Sequence, residues 1–108
     1  MSIHLPAPIE RYIAIENSGD VEALSECFAS DAVVYDEGRT YEGLGAIKEW
    51  KAETKKKYGH IATPLELADR NGSTVLKVRL DGNFPGSPVT VAFSFVLERG
   101  RIVSLRIG

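Results

Sequence analysis

The chain has 108 residues, 44% of them hydrophobic and 26% charged, which suits one globular domain spanning residues 1–108 and leaves too little chain for two cores. A formal net charge of −2 removes the electrostatic case for nucleic acid or an anionic membrane as partner. The lone cysteine, Cys27, cannot form an internal disulfide, and no apolar run approaches the roughly 18 residues of a membrane span. With no basic leader followed by an apolar stretch, a cytoplasmic location is the expectation.

The front half reads as helical. Pro6 and Pro8 suit the opening turn of a first helix that carries Ile9, Tyr12 and Ile13 on one face. Asn17-Ser18-Gly19 closes it, and Asp20 is placed to cap a second helix in which Val21, Leu24 and Phe28 repeat at helical spacing. Cys27 falls among the apolar positions of that helix, which predicts a buried thiol. Ser30-Asp31 then ends the helix and starts a strand, AVVYDE. After Gly43 a third helix carries Leu44, Ile47, Trp50 and Tyr58 along one side and finishes on Lys55, Lys56 and Lys57. Those cations read as a solvated helix end facing the negative pole of the dipole.

From His60 onward the pattern changes to alternation. Leu65 and Leu67 alternate with Glu66 and Ala68, and Asn71-Gly72 is a hairpin signal because both residues tolerate positive φ. Leu76, Val78 and Leu80 then alternate with Lys77, Arg79 and Asp81. After the turn-rich loop GNFPGSP, with Phe84 at its tip, the strand VTVAFSFVLE places Val89, Val91, Phe93, Phe95 and Leu97 on one face. Arg99-Gly100 turns the chain into a last strand, IVSLRI. Helices followed by long antiparallel strands predict an α+β fold with three N-terminal helices on one face of a curved sheet. Such a curve leaves an apolar concave space, the usual form of a small-molecule site.

Within the strand AVVYDE, alternation puts Val34 and Asp36 on one face and Val33, Tyr35 and Glu37 on the other. An inward Asp36 near Trp50, Phe93 and Phe95 would lose solvent, which raises a carboxyl pKa and makes a better base near neutral pH. The competing reading is that Asp36 opens the turn into Gly38 and bonds local backbone. His60, at the junction of helix and strand, reads as a surface cap, and His4 carries no assigned role. With two histidines, no CxxC and no HExxH, a metal site has no sequence support, and no glycine-rich strand-to-helix loop points to a nucleotide cofactor. No cofactor is expected.

The run IERYIAIENSGDVEALSECFASDAVVYDEGRTYEGLGAIKEW resembles the N-terminal half of SnoaL-like proteins of the nuclear transport factor 2 superfamily. Its landmarks are the Asn-Ser-Gly-Asp turn, CFASDAVV, the acidic strand end and YEGLGAIKEW; FSFVLERGRIVSLRI resembles the family's closing strands. The resemblance implies an NTF2-like cone, a mostly antiparallel sheet around an apolar pocket, and a homodimer packed through the sheets. It also implies a small apolar molecule as partner, with Trp50, Phe93, Phe95, Val34 and Val91 as pocket residues. Fold does not give function, and the superfamily holds isomerases, polyketide cyclases, dehydratases, epoxide hydrolases and binding proteins.

In ketosteroid isomerase a helix tyrosine and a protonated aspartic acid hold the oxyanion while a second aspartate moves the proton. By motif the tyrosine falls on Tyr12 and the base on Asp36, but the third position falls at or beside Phe93, which is no acid. An oxyanion donor is worth about 10²–10³ in rate, so the resemblance to that enzyme is partial. The resulting expectation is cofactor-free proton transfer by Asp36 and Tyr12 on a small apolar carbonyl compound. Ligand binding without turnover and a structural dimerisation module stand as alternatives. An epoxide-opening reaction would need a carboxylate–arginine–carboxylate set around a water; Arg79, Asp81 and Arg106 are the residues available for it, but the first two alternate outward from the apolar row.

Overall fold

The computed structural model describes residues 4–108. Helix α1 spans Ala7–Ser18, begins after Pro6, and ends where Gly19 adopts φ 80° and donates its N–H to Ile15 O. Strand β1 covers Phe28–Asp36, β2 Arg39–Glu42, helix α2 Leu44–Tyr58, and strands β3 to β6 cover Ile61–Arg70, Ser73–Asp81, Val89–Glu98 and Arg101–Ile107. The six strands form one sheet in the order β2-β1-β6-β5-β4-β3. Only β1 against β6 is parallel; the other pairings are antiparallel.

Of the three expected helices, two are α-helices among the described residues and the second is a 3-10 helix. Residues Val21–Glu26 form a short 3-10 turn, and Asp20 makes no side-chain cap there. The reason lies in the sheet. Ile102 donates its N–H to Cys27 O and Phe28 pairs with Ile102, so the residues that would continue a helix are taken by a strand. Leu24, Cys27 and Phe28 are buried all the same, because the turn still delivers them to the core. Burial raises the Cys27 thiol pKa to about 11, the state of a packing residue and not of a reactive thiol.

The hairpins follow their turn residues. Asn71 and Gly72 sit at φ 47° and 85° between the paired Arg70 and Ser73, as a two-residue turn of this hand requires. Strand β3 departs from strict alternation. Its register shifts between Pro64 and Glu66, so Leu65 is the extra residue of a bulge and lies 45% exposed, whereas Leu67 packs against the core. A proline at this point cannot donate to the ladder, which favours the bulge.

Asn17 pins α1 to this strand: its amide donates to Ala62 O at 3.0 Å and accepts from Ala62 N–H at 2.7 Å. Lys55 also leaves the solvated cluster expected of it and donates to His60 O at 2.6 Å and Asn17 O at 3.3 Å. Lys56 and Lys57 remain exposed. Among the described residues no helix is long and apolar enough to cross a membrane.

The core lies between the helices and the concave face of the sheet. Tyr12 stands at its centre, fully buried, with the rings of Phe28, Phe93 and Phe95 edge-on at 5.7, 6.1 and 5.8 Å.

Candidate functional site

A cavity of about 430 Å³ opens between α2 and the concave sheet, walled on its apolar side by Leu80, Phe84, Val89, Val91, Phe93 and Ile107. Its polar side carries Glu16, Asp36, Trp50, Lys51, Thr54 and His60. Val34 and Phe95, expected in the wall, are instead fully buried in the core and do not line this cavity. They lie one layer deeper.

Tyr12 also stands behind the wall. Its hydroxyl approaches the Glu16 carboxylate outside hydrogen-bonding geometry, and burial followed by the Glu16 charge raises its pKa well above the usual range for a phenol. The aromatic packing fixes the ring, so the hydroxyl cannot swing to a ligand without opening the core.

Asp36 is half-buried at the end of β1, with its Oδ2 accepting a 3.0 Å hydrogen bond from Trp50 Nε1. Burial pushes its carboxyl above the ordinary 3.8; the Trp50 hydrogen bond opposes that shift, and the Glu37 charge adds to it. Glu37 does not face away as strand alternation predicts. It takes φ 52° as the first residue of the turn to β2, and reaches the cavity rim beside Tyr58.

The rest of the polar side is a buried charge cluster. Glu16 continues the inward stripe of α1 after Ile9, Tyr12 and Ile13, and Lys51 continues that of α2 after Ile47 and Trp50. Lys51 Nζ donates to Glu16 Oε2 at 2.6 Å, with side chains only 2% and 1% exposed. His60 Nε2 contacts the other Glu16 oxygen. His60 is therefore no surface cap. The reason is the sheet edge: Gly82 lies so close that a Cβ there would stand 2.9 Å from both Cα and Cβ of His60 and 2.8 Å from Tyr58 O. Gly82→Ala is expected to force this junction apart and cost about 1–3 kcal/mol of stability, read as a fall in Tm together with a shift in the His60 ring resonances.

Burial alone would raise the Glu16 carboxyl, but the His60 hydrogen bond and the Lys51 charge overcome it and hold the pKa at about 2. Lys51 is pulled down by burial, with Glu16 opposing. Its ammonium also lies 4.0 Å from the centre of the Trp50 ring, a favourable cation–π distance. Two carboxylates thus share one cavity with pKa values driven apart, Glu16 downward and Asp36 upward. Arg79 and Asp81 pair with each other at the surface and Arg106 stacks on Tyr35 at 4.4 Å, so no arginine enters the cavity lining. Glu16 and Lys51 were open to sequence reasoning only as charges at core positions of helical stripes.

A family model for the SnoaL-like domain matches residues 9–105. The chain belongs to the SnoaL-like family. It is 40% identical to a candidate polyketide cyclase from Sinorhizobium meliloti, over 96% of this chain and 95% of that one, with a TM-score of 0.91. Bal32a, from a soil-derived mobile gene cassette, is 22% identical over 94% and 86% of the two chains, with a TM-score of 0.80. A Catenulispora acidiphila protein of ketosteroid isomerase-like fold, in complex with trimethylamine, is 21% identical over 97% and 86%, with a TM-score of 0.83. The NTF2-like α+β fold of this SnoaL-like chain is shared with these structures.

Proposed function

We propose that this SnoaL-like protein is a cofactor-free acid–base enzyme of the isomerase or cyclase type, with Asp36 as the general base on a small, largely apolar carbonyl compound. The observation that carries the reading is a carboxylate of raised pKa held by an indole N–H at the mouth of an apolar cavity. The likeness to a candidate polyketide cyclase supports it, since cyclisation also begins with removal of a proton next to a carbonyl. Exchange of α-hydrogens for deuterium in small ketones, followed by NMR, tests it: wild type should accelerate exchange and Asp36→Asn should not. Exchange that is equal in both proteins sinks the reading. Tyr12 stands one layer behind the wall and is packed among aromatic rings, so it is left out of the proposed step.

A second reading is binding without turnover, favoured by the trimethylamine held by the Catenulispora relative. Asp36 beside the Trp50 ring would suit a small methylated amine. Under that reading Asp36→Asn loses amine binding, and no ketone exchanges.

The outer face of the sheet is proposed as a homodimer surface. Val75, Ser94 and Arg106 share one cross-strand row and Val33, Ser104 and Val96 another, so the middle of this face is mostly short side chains, valines and serines, with Arg106 lying over Tyr35. Sedimentation should show a dimer that Val96→Glu dissociates; a monomeric wild type would contradict this.

A further inference from the structure

Removal of a proton beside a carbonyl leaves negative charge on the carbonyl oxygen, and a hydrogen-bond donor must meet it. The donors on the cavity wall can be taken in turn. Trp50 Nε1 is committed to Asp36, and Thr54 Oγ1 donates to Lys51 O at 3.1 Å. His60 turns Nε2 to Glu16 and keeps Nδ1 buried without a partner, and the Tyr58 hydroxyl lies 3.5 Å from Glu37 at the exposed rim. Lys51 is the donor on this wall that brings a positive charge and N–H groups to spare. Its ammonium has three N–H donors, and Glu16 is its one hydrogen-bond acceptor among the described residues.

The indole of Trp50 fixes how Lys51 and Asp36 stand relative to each other. The ring's N–H edge holds the Asp36 carboxylate at 3.0 Å, and the Lys51 ammonium lies over the same ring, 4.0 Å from its centre. One rigid plane therefore sets the base and the cation side by side on the cavity wall. A carbonyl compound can lie between them with its α-carbon toward Asp36 and its oxygen toward Lys51.

We propose that Lys51 is the oxyanion-holding group of this cavity, with Glu16 and His60 as the positioning residues that keep its ammonium in place. This rests on the reading of Asp36 as base. In the step, Asp36 takes the α-proton and the C–H electron pair becomes the new C–C π bond. The C=O π pair moves onto oxygen, which accepts a hydrogen bond from Lys51. Asp36 then returns the proton to carbon, and Lys51 keeps its own throughout. No oxidant, metal or covalent adduct is needed.

The test uses 4-nitrophenol, whose phenolate stands in for an enolate and reports its ionisation by colour. Wild-type protein should bind it as the phenolate and lower its pKa. Lys51→Met alone would strand Glu16, so it is combined with Glu16→Gln; compared with wild type, the double variant should bind phenolate about tenfold more weakly or worse. Lys51→Arg with Glu16 retained should keep part of the binding. Binding of the neutral phenol, no binding, or equal affinity in wild type and the double variant overturns the proposal. The wild-type pKa shift needs no variant, so it decides the matter even if a variant fails to fold. Asp36→Asn separates the two ideas: it should retain or strengthen phenolate binding while ketone exchange is lost. If phenolate is held by Lys51 but no ketone exchanges in wild type, the role of Asp36 falls and Lys51 stands as an anion-binding group.

Discussion

Glu16→Ala is expected to destabilise the protein by about 3–5 kcal/mol, because it leaves the Lys51 ammonium buried without a counter-charge. For a domain of this size that corresponds to a fall in Tm of at least about 12 °C. The pair is 1–2% exposed, so solvent cannot step in as it does for the surface pairs Arg11–Glu26 and Lys77–Glu66, whose loss should be worth under about 1 kcal/mol. The double variant Glu16→Gln, Lys51→Met removes both charges, and its cost should fall short of the summed single costs by about 1 kcal/mol or more. Strictly additive losses in denaturant titrations would mean that the two groups do not act as a pair. The pH dependence has a definite sign. The Glu16 pKa in the folded protein, about 2, lies below its ordinary 4.5, so its contribution is complete above pH 4.5 and is lost as pH falls toward 2.

Asp36→Asn should lower the rate of proton transfer by about 10²–10⁴ while leaving the fold intact. The amide keeps an oxygen to accept from Trp50 Nε1 and removes a half-buried charge, so stability should hold or rise slightly. The base works ionised. Wild-type rate should therefore climb as pH passes through the raised pKa of Asp36 and level off above it, and the variant should lack that limb. An unchanged pH profile in Asp36→Asn would place the chemistry on another group.

The strands of the back half were legible because alternation and turn chemistry agree: Leu76 and Val78 face in, Lys77 and Arg79 face out, and Asn71-Gly72 closes the hairpin. The second helix misled because local spacing in VEALSECF competes with a partner far along the chain; Phe28 pairs with Ile102, and nothing near residue 28 announces it. Leu65 misled for a similar reason, since one inserted residue in a bulge reverses a face.

At the site, Asp36 and Trp50 could be placed from strand alternation and helix spacing. Glu16, Lys51 and His60 could not be read as a cluster, because each is charged or polar and defaults to the surface until its partner is known. Glu16 meets Lys51 across a separation of 35 residues. The usable signal was a carboxylate at the fourth apolar position of the stripe Ile9, Tyr12, Ile13, Glu16. A charge there calls for a buried partner of opposite sign.

The measurement to make is the titration of the Asp36 carboxyl by NMR, with Asp36→Asn to assign the resonance and Trp50→Phe as a second protein. The cavity environment predicts a pKa above the ordinary 3.8 in wild type. Trp50→Phe should raise it further, because the lost hydrogen bond favours the charged form. A wild-type value at or below 3.8, or no response to the loss of Trp50, would make Asp36 a turn residue and remove the base from the proposed reaction.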